Sequence, residues 1–142
     1  MKIQELDEFT IAYMQCILFA ETDESTESGG YPLDQNYSLK DFSPEAIEEI
    51  VKDCKEFQKQ NAEDIATIPD HISSDCDSYG RDYYSGLECA GHDFWFTRKG
   101  HGVGFWDRDW IEKAARDRLT ESALDFGERW VYVGDDHKVH IG

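Results

Sequence analysis

The eighteen residues GHDFWFTRKGHGVGFWDR, positions 91–108, hold five aromatic rings, two histidines and four glycines. How this stretch is read decides the fold. If Lys99 to Gly102 form a four-residue turn, Phe96 falls opposite Phe105 and Trp95 opposite Trp106. The spacing therefore predicts an antiparallel hairpin with aromatics on both faces, so both faces need cover. In this reading the aromatics are core, and the glycines serve tight turns and close packing.

Working outward, a helix is expected next. Asp109 with Glu112 forms a capping-box pattern, Ile111, Ala115, Leu119, Ser122 and Phe126 recur on one face, and Gly127 is a natural stop. The chain closes with RWVYVGDDHKVHIG, residues 129–142. There Trp130 and Tyr132 alternate with Val131 and Val133, and a turn at Asp135–His137 leads back to Val139 and Ile141, a second hairpin.

Upstream, residues 7–21 read as a largely buried helix, with Phe9, Tyr13, Cys16, Ile17 and Ala20 at helical spacing and Met14 and Leu18 widening the apolar surface. A Ser/Gly/Pro-rich loop follows. A second helix is expected from Ser43 as N-cap, Pro44 at the first position and Glu45 in the first turn. Ile47, Ile50, Val51, Cys54, Phe57 and Gln58 trace its inner face, and Glu48, Glu49, Asp53 and Glu56 lie away from it. Pro69 ends this part, and residues 70–90 read as loop. The order is helix, helix, hairpin, helix, hairpin. This is an α+β fold with N-terminal helices on a small antiparallel sheet made of two hairpins, the third helix lying between them. One domain spans 1–142, with an acidic helical part at about 1–69 and an aromatic hairpin-helix-hairpin part at about 91–142.

Charge is the strongest compositional signal: 31 Asp and Glu stand against 14 Lys and Arg, a net −17. Residues 1–90 carry 21 of those acids and only 6 of the basic residues. Such a field repels nucleic acid and phospholipid surfaces and favours proteins with basic grooves. The N-terminus lacks a basic and apolar leader pattern, and the longest apolar run, IAYMQCILFA, is too short to span a membrane. The four cysteines, at 16, 54, 76 and 89, form no C-x-x-C pair and read as free thiols of a reducing compartment.

Three constellations offer chemistry. His92, His101, His137 and His140 lie near hairpin ends with Asp93 and Asp107, but no metal-ligand spacing joins them. DCDSYGRDYYSG, residues 75–86, opens like a calcium loop, then has Tyr79 at the fifth position and Gly86 at the twelfth, where a Glu is needed. GHGVG lacks the following helix amino terminus that a phosphate cradle uses. The sequence thus assigns no catalytic residue, metal ligand or cofactor.

The stretch 91–108, with DRLTESALDFG at 117–127 and VYVGDDHK at 131–138, resembles a widespread family of small acidic bacteriophage and prophage proteins. These carry GHDFW-x-T-R-x-G-H-G-x-GFWDR, then a DRLT-x-x-A helix and a Y-x-GDDG-K hairpin. DQNYSLKDFSPEAIEEIVKDCKEFQKQNA, residues 34–62, looks like that family's middle helix. His137 stands where a glycine is usual, a position where a positive φ is expected. DRDWIEKAA replaces a glycine-rich connection, which implies an earlier start for the third helix. The resemblance implies a phage or mobile-element accessory protein acting in bacterial cytoplasm, and it carries over no catalytic residue.

The expected function is that of a non-enzymatic, DNA-mimic-like inhibitor of a host nucleic-acid-binding defence protein, of anti-CRISPR or anti-restriction type. The expected partner-binding residues are Glu45, Glu48, Glu49, Asp53, Glu56, Glu63 and Asp64, with Asp23, Glu24 and Glu27 from the first loop. An ordinary solvated helix face is the alternative for each. Two other functions stay open: a small metal-dependent enzyme or ligand-binding domain using His92, His101, Asp107 and Arg108, and an adaptor binding through Tyr79, Tyr83 and Tyr84. No direct nucleic-acid or membrane binding is expected, and the pattern specifies no oligomeric state.

Overall fold

The computed structural model describes residues 2–25, 27, 29–73 and 83–142. Helix α1, Glu8–Ala20, is the central rod. Asp7 caps it by accepting the Thr10 N–H at 2.8 Å. Phe9, Tyr13, Met14 and Ile17 are almost fully buried, because a helix apolar nearly all round must be covered on every side. Helix α2, Pro44–Gln60, begins as its sequence predicts, with Ser43 accepting the Ala46 N–H at 3.0 Å and Pro44 in the first turn. Ala46, Ile50, Cys54 and Phe57 are buried on its inner face. The buried Asn61 ends it, donating to the Phe57 carbonyl at 2.9 Å, and the short helix α3, Ala62–Ala66, follows.

The hairpin expected at 91–108 is not formed. Residues Gly86–Lys99 are helix α4, and Phe105–Asp107 form a 3-10 turn. The helix is specified at both ends. Ser85 and Glu88 complete a capping box, Arg98 and Lys99 occupy the last turn, and Gly100 closes it at φ 78°. One small residue explains why helix is preferred here over strand. A Cβ added at Gly91 would lie 2.3 Å from the Phe9 carbonyl oxygen, so α4 sits backbone-close on α1. That contact repays the helix penalty of glycine. The core assignment survives the change of element: Trp95 and Phe105 are fully buried, whereas Trp106 is 47% exposed. The expected facing pairs are replaced by an aromatic stack, with Phe57 and Phe94 at 4.1 Å, Phe57 and Phe105 at 5.6 Å, and Tyr13 edge-on to Trp95 at 5.5 Å.

Helix α5 spans Lys113–Asp125, with Glu112 at its N-cap position. It starts later than expected. Arg108 lies over the Trp110 ring at 5.3 Å, which holds Asp109–Ile111 in the connecting turn, and Asp109 caps nothing. Ile111, Ala115 and Leu119 are buried as predicted, and Gly127 follows the helix at φ 79°.

The C-terminal hairpin is as the alternation predicts. Strands β5, Val131–Val133, and β6, Val139–Ile141, pair with Tyr132 opposite His140, and His137 in the turn has φ 59°. The outer edge of β6 is tied to the start of α2, where the Ser43 N–H donates to the Val139 carbonyl at 2.9 Å. Two further two-residue pairings, β1 (Thr22–Asp23) with β2 (Tyr31–Pro32) and β3 (Ile72–Ser73) with β4 (Tyr83–Tyr84), are separate from it. The fold is α+β, with helices and small antiparallel hairpins; the two-hairpin sheet expected from the sequence is absent because one of its hairpins is α4.

Candidate functional site

The expected acidic residues divide into two groups. Glu45, Glu48 and Glu56 on α2, Glu63 on α3, and Glu24 and Glu27 in the first loop are exposed. The remaining four are engaged within the fold. Asp23 is buried and accepts both the Ser25 hydroxyl and its N–H; these bonds hold its carboxyl below the ordinary aspartate range. Asp64 receives both arms of Arg118, at 2.9 and 2.8 Å. Glu49 is bonded by Arg129 at 2.9 Å, and Asp53 by Arg129 at 3.1 Å and Arg98 at 2.8 Å.

Asp53 thus departs from the sequence reading, which placed it away from the inner face. Its side chain is 13% exposed, and that of Arg98 only 1%. The guanidinium lies between the Phe94 and Phe126 rings. It also donates to the Gly127 carbonyl at 2.8 Å, the Phe126 carbonyl at 3.0 Å and the Tyr13 hydroxyl at 3.1 Å. This is a buried charge with every arm satisfied, joining α1, α2, α4 and the end of α5. Arg98 falls four residues after Phe94, on the face of α4 that packs inward. Read as a helix, 86–99 reveals that position; read as a strand, it does not. The outer face of α2 is also mixed in sign, since the exposed Lys52, Lys55 and Lys59 stand among Glu45, Glu48 and Glu56.

The Asp64–Arg118 pair gives a pH test. The hydrogen bonds from Arg118 hold the Asp64 carboxyl below its ordinary value of 3.8. A carboxylate lowered in the folded state stabilises fully above its unfolded value and loses that contribution as pH falls through the folded one. Arg118 is largely exposed, so the contribution is small. The melting-temperature gap between the parent and Asp64→Asn should therefore be constant at neutral pH and close below pH 3.8. A gap unchanged at lower pH contradicts the assignment.

The residues offered for metal or enzyme chemistry are dispersed among structural roles. Arg108 forms a bidentate pair with the buried Asp93, with contacts from 2.6 to 3.1 Å. Burial pushes the Asp93 carboxyl up, and Arg108 only partly offsets it. His101 bonds Glu21, which also accepts the Trp95 indole N–H at 3.0 Å. His92 meets the Tyr84 ring edge-on, and Asp107 is exposed. His140 bonds Asp136 and stacks on Tyr132. Among the described residues, no group of three or more His, Cys, Asp or Glu is placed to hold a metal ion. Cys16 and Cys54 are buried thiols pushed up by burial, which makes them poor nucleophiles. Cys76, Tyr79 and most of the calcium-loop-like segment lie outside the described residues. Tyr83 is exposed and stacks on His71 at 4.0 Å.

No helix among the described residues is long and apolar enough to cross a membrane. No family model, no curated protein and no solved structure matches this chain.

Proposed function

We propose that the protein is a phage or mobile-element accessory protein that acts in bacterial cytoplasm. In this reading its acidic surface makes it a DNA-mimic-like inhibitor of a host nucleic-acid-binding defence protein. The observation that carries this reading is the net charge of −17 and its concentration in the first ninety residues. Carboxylates presented to a basic groove replace phosphates and release the groove's counterions. The internal pairing of Glu49, Asp53, Asp64 and Asp23 narrows the contact set to Glu45, Glu48, Glu56, Glu63, Glu24 and Glu27.

The test reverses charge only where the side chain is exposed. A Glu48→Lys, Glu56→Lys, Glu63→Lys variant should keep its fold, at about 0.5 kcal/mol or less per site. It should bind a basic-groove partner captured from a defence-carrying host much more weakly, mainly through slower association. Parent binding should weaken with salt, and nucleic acid should compete for the same groove. A folded triple variant that binds as well as the parent at low salt refutes the proposal.

A further inference from the structure

We infer that β5 is an open sheet edge through which two copies of this chain pair antiparallel about a two-fold axis. The ladder defines which groups face outward. Trp130 and Gly142 exchange both backbone bonds, at 3.1 and 2.8 Å, and the Gly134 N–H donates to the Lys138 carbonyl at 3.0 Å. Tyr132, midway between them, faces His140. The N–H and C=O groups of Val131 and Val133 therefore point away from β6. No bond joins them to any described residue outside the hairpin. On β6 the Val139 carbonyl is taken by the Ser43 N–H, whereas no bond from another described element reaches the outward groups of β5.

Natural edges are blunted by proline, lysine or a bulge. Val131-Tyr132-Val133 has none of these. The aromatic face beside this edge is also uncovered, with Trp130 66% exposed and Tyr132 53% exposed.

Three observations select a second copy as the occupant. The segment Val-Tyr-Val reads the same in both directions. Centred on Tyr132, an antiparallel pair sets Val131 of each copy against Val133 of the other, with all four outward donors and acceptors matched. Tyr132 then faces its own counterpart in the close, non-hydrogen-bonded position that suits aromatic pairs, and Trp130 falls opposite the side-chain-free Gly134. Charge also permits the contact. Residues 91–142 carry 10 acids against 8 basic residues, so this is the part of a very acidic chain that repels itself least. The product is a four-stranded sheet ordered β6-β5-β5-β6.

Sedimentation equilibrium of the full chain should show a concentration-dependent monomer–dimer equilibrium. Higher salt should strengthen it, because the two bodies carry the same net charge. Acidic-surface binding to a basic groove weakens with salt, so the two ideas fail separately. Tyr132→Lys sets two cations face to face and should weaken dimerisation about tenfold or more, whereas Tyr132→Phe should leave it intact. In hydrogen exchange, the Val131 and Val133 amides should be protected at high concentration and exchange freely at low concentration. A monomer at every concentration and salt overturns the inference and leaves the edge to a strand of a different protein. A dimer that neither protects these amides nor responds to Tyr132→Lys overturns it equally.

Discussion

Arg98→Ala should cost about 3–5 kcal/mol of folding free energy, among the largest effects of any single change in this chain. The loss has two parts. Removing the guanidinium strips the partners from the Phe126 and Gly127 carbonyls and from the Tyr13 hydroxyl, which then lack a donor. It also leaves Asp53, at 13% exposure, with Arg129 as its one cation partner among the described residues. Denaturant unfolding monitored by circular dichroism measures the effect directly. Arg98→Lys should recover only part of it, since an ammonium cannot reach both carbonyls and the carboxylate in the geometry of the planar fork. A cost below about 1 kcal/mol for Arg98→Ala would show that the buried pair is closer to neutral than its geometry indicates.

Trp95→Ala should cost a comparable 3–5 kcal/mol, by a different route. The indole is fully buried, lies edge-on to Tyr13, and donates its N–H to Glu21 at 3.0 Å. Truncation leaves a cavity between α1 and α4, whose close packing across Gly91 leaves little freedom to collapse into it. The melting temperature should fall steeply, while Trp106→Ala, at a 47% exposed position of the same segment, should move it little. If Trp95→Ala abolished binding while the melting temperature stayed unchanged, the residue would belong to a site and not to the core.

The contrast between these two residues shows how far the sequence carries. Trp95 was legible as core because a large ring is driven inward whatever element bears it. Arg98 was not. A charge is expected at the surface, and only the carbonyls at the end of α5, the Tyr13 hydroxyl and the Asp53 carboxylate make its burial tolerable. None of these partners is near it in sequence. The same limit applies to the acidic residues: helical periodicity placed Glu45, Glu48 and Glu56 in solvent, but the long-range arginines that engage Glu49, Asp53 and Asp64 are invisible to periodicity.

Local signals determined α1, α2 and the C-terminal hairpin, because caps, apolar spacing and alternation act within a few residues of one another. The positive φ at His137 was expected not from these signals but from the resemblance, in which a glycine is usual at that place. Residues 91–108 were decided by tertiary structure. Their aromatics suit either period, and their glycines argue against a helix until a neighbouring backbone needs the space they leave. Gly91 against the Phe9 carbonyl supplies that need. Packing on α1 turned an apparent strand pair into α4, and with it placed Arg98 in the core.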